Sequence, residues 1–308
     1  MSEPFSYFYF RFSYIYEMKL VERITIVAAT DNHYCVLLAA LIKSIEVNYN
    51  SKKPIDFYIV GDGLTESNVN SLVKSYSSEL LTLHWLKMEN IIPPDLTIPF
   101  DYSSYPKNIY VRLFIPYFLP ETVSKAIYLD VDMIVQCDIH ELWTVELHEN
   151  IVGAVVDPLD TIGNPYSGIP NYKELQLNPS AKYFNTGLLL MNVTHWRNEN
   201  ITAKVLNCVA ENKKFAKLPD QYALNVVLYD RWLELEKTWN TFSNSEDDKA
   251  NIIHFAHRKP IYKSYHYGGS HKNIFFHYLN MTDWKGFKEI SEVRRYAKKL
   301  YNLFEKVR

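Results

Sequence analysis

Cysteine is scarce in this chain. Of 308 residues only Cys35, Cys137 and Cys208 carry a thiol, far apart and in no CxxC spacing. An odd, unpaired set excludes a disulfide framework and reads as reduced thiols of the cytoplasm. A dominant charge is missing as well: 33 Lys and Arg face 35 Asp and Glu, a formal net charge of -2 that gives no basis for nucleic-acid binding. No apolar run is long enough to span a membrane. The N-terminal patch Phe5-Ser6-Tyr7-Phe8-Tyr9-Phe10-Arg11-Phe12 lacks the aliphatic core and small-residue cleavage site of a signal peptide. Without a secretion signal the sequons at Asn192, Asn200 and Asn280 carry little weight. Also absent is a glycine-rich GxGxxG after the first strand. Ala28-Ala29-Thr30-Asp31 stands there, which sets aside a nicotinamide oxidoreductase. There is no internal repeat and no low-complexity linker.

What is present is an ordinary globular balance, 47% hydrophobic and 22% charged, enough for one large α/β domain or two small ones. Aromatics reach 15%, with 24 tyrosines, whose flat apolar face and polar tip suit contacts to sugars or bases. Ile24 to Ala29 is a compact buried strand, and Tyr34 to Asn48 follows with apolar residues at helical spacing. Ile55 to Val60 is the next strand, ending at Gly61-Asp62-Gly63, and Thr65 is placed to cap a helix. Leu81 to Trp85 is a third strand. Strand, loop, helix, strand is the rhythm of an open, mostly parallel sheet. Asn108 to Phe118, Asn198 to Glu211 and Asp220 to Leu228 read as helices, and Ile252 to Phe255 as a late short strand. Between Asp157 and Lys182 lies a polar, proline-bearing excursion that reads as an irregular functional lid.

These elements give one domain over 21–283, an N-terminal extension over 1–20 that is disordered or loosely packed, and a basic amphipathic C-terminal helix over 284–308. Residues before Met18 read as an upstream start-codon extension or a loose tail. In the C-terminal helix Lys298, Lys299, Lys306 and Arg308 could meet anionic headgroups while Leu300, Leu303 and Phe304 dip in. The other reading is a helix packed on the domain with its basic face in solvent.

The most informative stretch is Ala126-Ile127-Tyr128-Leu129-Asp130-Val131-Asp132-Met133-Ile134-Val135. In an extended chain Asp130 and Asp132 share one face, and an apolar strand seldom tolerates two such carboxylates unless a cation neutralises them. Hard oxygen ligands suit Mg²⁺ or Mn²⁺, which usually bring a phosphate. The bare tripeptide also fits two solvated acids past a strand end; the apolar context on both sides favours the metal.

Taken in order, VAATDNHY, YVRLFIP, YLDVDMIV, GAVVD, YFNTGLLLMN, LPDQYALN, WN and HFAHRKP resemble the glycosyltransferase family 8 enzymes, retaining nucleotide-sugar transferases that include lipopolysaccharide galactosyl- and glucosyltransferases and glycogenin. The resemblance covers about Ile24 to Tyr262. It implies a GT-A fold: a Rossmann-like mixed sheet flanked by helices, here with a small helical C-terminal appendage. The strand end at Ala29, Thr30, Asn32 and His33 then holds uridine, where nucleotides dock in doubly wound sheets. Asp130, Asp132 and His254 match the metal ligands, a set that favours Mn²⁺ with Mg²⁺ as the other choice. Arg112 and Asn185 match positions on the donor sugar, and Lys259 the lysine on the diphosphate. Asp157 falls near the donor and acceptor sugars, and Asp220 and Gln221 beside the anomeric carbon. Each has a plainer reading: a buried ion pair for Arg112, a helix cap for Asp220, a core histidine for His254 and a solvated lysine for Lys259.

The implied activity is transfer of galactose or glucose from a UDP-sugar to a saccharide or glycolipid hydroxyl, in the cytoplasm or peripherally on the inner face of the plasma membrane. One segment departs from the family pattern. The usual His-x-x-Gly-x-x-Lys-Pro-Trp appears as His254-Phe255-Ala256-His257-Arg258-Lys259-Pro260-Ile261, without the glycine and tryptophan and one residue shorter. Arg258 is the alternative phosphate reader, and a non-catalytic nucleotide-sugar-binding pseudoenzyme is the alternative function.

Overall fold

The computed structural model describes residues 22–99, 107–166, 168–245, 249–267 and 269–293. In chain order its main elements are β1 (Ile24–Asp31), α1 (Cys35–Asn48), β2 (Ile55–Asp62), α2 (Glu66–Lys74), β3 (Leu81–Lys87), α3 (Val111–Phe118), β4 (Lys125–Leu129), β5 (Met133–Val135) and α4 (Ile139–Trp143). The chain continues through β6 (Val152–Ala154), β7 (Val156–Thr161), β8 (Lys182–Phe184), β9 (Leu188–Asn192), α5 (Val193–Asn198), α6 (Ile201–Glu211) and α7 (Pro219–Val227). It ends in β10 (Trp232–Glu234), β11 (Thr241–Phe242), β12 (Ile252–His254) and α8 (Gly269–Leu279).

The central sheet has seven strands in the order β10-β6-β9-β4-β1-β2-β3. All its pairings are parallel except those of β9, which runs against both β4 and β6. Both faces are covered, and the two-residue period of the strands decides which core each side chain joins. Ile127 and Leu129 of β4, with Leu188 and Leu190 of β9, enter the core beneath α1 and α8. Ala126 and Tyr128, with Leu189 and Met191, enter the opposite core beneath α3, α6 and α7. α1 is buried along eleven of its fourteen residues, which explains its uniformly apolar sequence. Thr65 caps α2 by accepting from the Asn68 amide, as its position predicted.

Two smaller sheets complete the architecture. β5 leaves the main sheet and pairs antiparallel with β12, which runs parallel to β11. The register sets His254 opposite Met133, the residue after Asp132. β7 and β8 form an antiparallel ribbon with an irregularity in its register.

Four expectations change. Asp130 and Asp132 do not lie on a strand: β4 ends at Leu129, Val131 and Asp132 form a turn, and the apolar run restarts in a different sheet. The excursion after Asp157 is less irregular than read, because β7 and β8 zip its ends and Ile162 and Ile169 are buried within it. The helix read over 198–211 starts later, at Ile201, because Asn200 before it has a left-handed φ of 52°, and Asn198 ends the separate helix α5. The C-terminal helix does not start at Lys285: residues 285–290 make turns and a bridge from Ile290 to Tyr262, and Trp284, Phe287 and Ile290 pack on the core. The basic residues Lys298, Lys299, Lys306 and Arg308, and the N-terminal segment 1–20, lie outside the described residues. α8 was not read from sequence; it packs Phe275 and Leu279 into the core beside α1.

Candidate active site

The site forms where β1, β4 and β9 meet the β5–β12 pair. β1 and β4 run parallel with Val27 beside Tyr128, so their carboxyl ends reach the same edge. One step beyond β4, the Asp130 amide donates to the Gly187 carbonyl at 2.8 Å, extending the ladder to β9. The Phe255 amide donates to the Asp132 carbonyl at 2.9 Å, which fixes the end of β12. Side chains far apart in sequence thus converge: ligand atoms of Asp130, Asp132 and His254 all lie within 4.8 Å of one another.

The environment suits a cation. Asp132 and His254 are buried, and Asp130 is partly open. His254 Nε2 stands 3.5 Å from Asp132 Oδ1 and 3.9 Å from Asp130 Oδ2. The chain supplies a positive charge of its own here, because the Lys259 ammonium pairs with Asp132 Oδ2 and donates to the Phe255 carbonyl at 2.9 Å and the Ala256 carbonyl at 3.2 Å. Burial alone would raise the Asp132 carboxyl, but the Lys259 ammonium holds it well below the usual carboxylate range. Gly187 leaves the space in which the donors gather: a Cβ there would lie 2.5 Å from His254 Cε1 and 2.9 Å from Asp130 Oδ2. Two carboxylates and an imidazole around a notch with no side chain fit a divalent ion of the Mn²⁺ or Mg²⁺ kind.

Behind Asp130 lies Arg112, buried on α3. It donates to Asp130 Oδ1 at 3.0 Å, to the Tyr128 hydroxyl at 3.2 Å and to the Thr186 carbonyl, and its Nε is 3.4 Å from Asp220 Oδ2. Burial penalises its charge, but Asp130, Tyr128 and Asp220 more than offset that and raise its pKa. Among the described residues Arg112 Nε meets Asp220 as an ion pair without hydrogen-bond geometry, and the rest of the guanidinium is spent on the protein. Burial raises the Asp220 carboxyl and Arg112 draws it back only in part. Leu218, not Asp220, holds the N-cap position of α7.

Asp157, Asn185 and Gln221 form one polar floor. Asp157 Oδ2 accepts from Asn185 Nδ2 at 3.1 Å and Gln221 Nε2 at 3.2 Å, while Gln221 Oε1 accepts from Asn185 Nδ2 and the Thr186 amide, both at 3.2 Å. The Gln221 side-chain carbonyl is therefore turned into the floor.

At the strand end the predicted nucleotide contacts are placed differently from one another. Ala29 and Thr30 are buried in β1. Asn32 Oδ1 accepts from the Thr65 amide, the Thr65 hydroxyl and Asn68 Nδ2, so its side chain fastens α2 to the end of β1. His33 Nε2 meets the Tyr262 hydroxyl at 2.9 Å. Arg258 lies over the Tyr262 ring and 3.9 Å from Glu292.

Sequence reasoning missed Tyr128, whose hydroxyl donates to Asp130 Oδ1 at 2.8 Å, and Asn240, which meets His254 Nδ1 at 2.8 Å. Tyr128 was within reach, since it lies on β4 only two residues before Asp130. Asn240 belongs to the WN piece of the resemblance, to which no role was attached.

A mixed sheet flanked by helices, with a carboxylate–imidazole cluster at its carboxyl edge, is a GT-A architecture. The family model described as Glycosyl transferase family 8 matches residues 25–273, and the chain belongs to that family of glycosyltransferases. General stress protein A of Bacillus subtilis is 26% identical over 288 residues, covering 87% of this chain and 96% of that protein. Lipopolysaccharide 1,2-glucosyltransferase of Escherichia coli is 25% identical over 256 residues, covering 82% and 72%. Among solved structures, galactosyltransferase LgtC in complex with donor and acceptor sugar analogues superposes with a TM-score of 0.68 at 21% identity, over 85% of this chain and 99% of that one. The bifunctional glycosyltransferase WbbM gives 0.71 at 23% identity, over 85% of this chain and 50% of its own. At these identities the two structures establish the fold.

Proposed function

We propose that this chain is a metal-dependent, retaining hexosyltransferase that moves galactose or glucose from a UDP-sugar to a hydroxyl of a saccharide or glycolipid acceptor, in lipopolysaccharide or surface polysaccharide synthesis. The observation that carries this reading is the convergence of Asp130, Asp132 and His254 beside the Asp157–Asn185–Gln221 floor. A relative that is a lipopolysaccharide glucosyltransferase, and a fold neighbour solved with donor and acceptor analogues, support the substrate class.

Asp130, Asp132 and His254 would hold the ion, Mn²⁺ in preference to Mg²⁺. When bound, it supplies Lewis-acid charge at the diphosphate as UDP leaves. Ala29, Thr30, Asn32 and His33 border the nucleoside, with Asn32 acting through the Thr65–Asn68 turn that it fastens. Arg112 holds the Asp130 and Asp220 carboxyl groups at fixed positions. Lys259 exchanges Asp132 for the diphosphate when donor binds, adding a second positive charge to the leaving group. The floor of Asp157, Asn185 and Gln221 holds the hexose with its anomeric carbon open to the acceptor, and Asp220 adds negative charge beneath it. As the anomeric carbon–phosphate bond breaks, the acceptor oxygen attacks from the same face. The departing phosphate takes its proton, which preserves configuration without the carboxylate pair of glycosidases.

The chain works in the cytoplasm, with its basic C-terminal residues touching anionic lipid; no helix of the described residues is long and apolar enough to cross a membrane. The domain spans 21–283. A second reading, a UDP-sugar binder without turnover, is favoured by one observation: Lys259 sits on Asp132, in a segment lacking the family's glycine and tryptophan. Calorimetric titration of UDP with and without Mn²⁺, on wild type and Asp132→Asn, tests the site. The proposal expects metal-dependent UDP binding that Asp132→Asn abolishes with the melting temperature retained. Equal, metal-independent binding by both proteins refutes it.

A further inference from the structure

We infer that Asn240 is a positioning residue that locks His254 as its Nδ1–H tautomer and so aims a bare Nε2 lone pair between Asp130 and Asp132; this rests on the metal reading of that site. The argument starts from groups whose hydrogen-bonding role is not adjustable. The Gly187 amide can only donate, and it donates to Asn185 Oδ1 at 2.9 Å. The Asp157 carboxylate accepts from Asn185 Nδ2 at 3.1 Å. The Asn185 amide is therefore oriented from both ends. Its Oδ1 takes a second bond from Asn240 Nδ2 at 2.9 Å, which turns Asn240 Oδ1 toward His254 Nδ1, 2.8 Å away. An amide oxygen only accepts, so in the neutral imidazole the hydrogen is on Nδ1 and Nε2 is a free acceptor.

That acceptor faces two carboxylates at 3.5 and 3.9 Å, and Lys259 neutralises only Asp132 from its Oδ2 side, so a cation fits among the three. Asn185, Asn240 and His254 are each at most 8% exposed, so water does not readily replace a lost link. The relay spans the fold: Asn185 precedes β9, Asn240 precedes β11, and the β11–β12 register sets Phe242 beside His254. Partners that orient a metal-binding imidazole typically matter about 10–100-fold in metal affinity.

The test reads the imidazole directly, in metal-free protein at a pH where histidine is neutral. Nitrogen-15 correlation spectra would be recorded for wild type, Asn240→Leu and Asn240→Asp, with His254→Gln used only to assign the signal. Wild type is expected to show protonated Nδ1 at His254. Asn240→Leu is expected to shift the population toward Nε2–H and to weaken Mn²⁺ binding about 10–100-fold. Asn240→Asp keeps an acceptor on Nδ1, so the tautomer is expected to survive even if the bond to Asn185 is lost, a rescue that a purely structural role would not give. Protonated Nε2 in wild type, or an unchanged tautomer in folded Asn240→Leu, overturns the relay. Protonated Nδ1 in a wild-type protein that binds no Mn²⁺ overturns the metal reading and with it the purpose assigned to Asn240.

Discussion

Replacing Gly187 with alanine isolates the geometry of the site from the stability of the fold. The added Cβ would sit 2.5 Å from His254 Cε1, 2.9 Å from Asp130 Oδ2 and 3.1 Å from Asn185 Oδ1. Ordinary contacts need roughly 1 Å more, so two candidate ligands must move apart. His254 is hemmed in at 4% exposure and tied to Asn240, so it does not yield freely. Gly187 does not share the positive φ of Gly63 and Gly286, and alanine there strains no backbone angle. Overpacking costs about 1–3 kcal/mol, against roughly 0.4–1 kcal/mol regained from a stiffer unfolded chain. The melting temperature should fall by only a few degrees, at about 2–4 °C per kcal/mol for a domain of this size. Metal sites tolerate only ~0.2 Å of error in ligand distance, and a misplacement of about 1 Å can cost ~100-fold in rate. The expected result is Mn²⁺ affinity and sugar transfer both down about 100-fold in a folded protein. A Gly187→Ala protein that binds Mn²⁺ and transfers sugar about as well as wild type refutes the placement of His254 and Asp130 around that notch.

Lys259→Met removes the ammonium that competes for Asp132, so Mn²⁺ without nucleotide should bind several-fold tighter while UDP binds more weakly; titration calorimetry reads both, and loss of both affinities together contradicts the exchange. Burial raises the Asp220 carboxyl above its ordinary value, so its ionisation costs folded stability at neutral pH and not below the ordinary carboxylate range near about pH 4. Asp220→Asn should therefore melt no lower than wild type at neutral pH, with any advantage vanishing as the medium is acidified into that range, while transfer falls. A clear loss of stability at neutral pH contradicts this. Burial pushes the thiols of Cys35 and Cys137 up to about 12 and that of Cys208 up to about 11. Native protein at mildly alkaline pH should react with a thiol reagent far more slowly than unfolded protein; a rapid stoichiometric burst contradicts it.

The fold was legible where periodicity was strong. The alternation of β4 and β9, and the apolar length of α1, follow directly from which faces are buried. What pattern could not show is how β5 leaves the main sheet, because a run such as Met133-Ile134-Val135 is apolar whichever sheet it joins. The same limit hid the turn at Val131 and Asp132: the two acids come together across that turn, not through strand alternation, and the β5–β12 register brings His254 to them. For the site, the residues taken from the family resemblance gather around one edge, but their partners were invisible. Asn32 turned out to fasten α2, and Lys259 to pair with Asp132, since hydrogen-bond partners 33 and 127 residues away leave no trace in local sequence. Asn240 was hidden for the same reason. The start of the C-terminal stretch was misread because Trp284, Phe287 and Ile290 pack on the core in a segment that bridges to Tyr262, a partner distant in sequence.

The most direct test of metal-dependent transfer is a donor panel. Purified protein with Mn²⁺ would be incubated with UDP-galactose, UDP-glucose, UDP-GlcNAc and UDP-GalNAc, and released UDP recorded with and without EDTA. The account predicts slow release from UDP-galactose or UDP-glucose, abolished by EDTA and by Asp132→Asn. Release that ignores EDTA, or a protein that neither releases nor binds UDP, would contradict it.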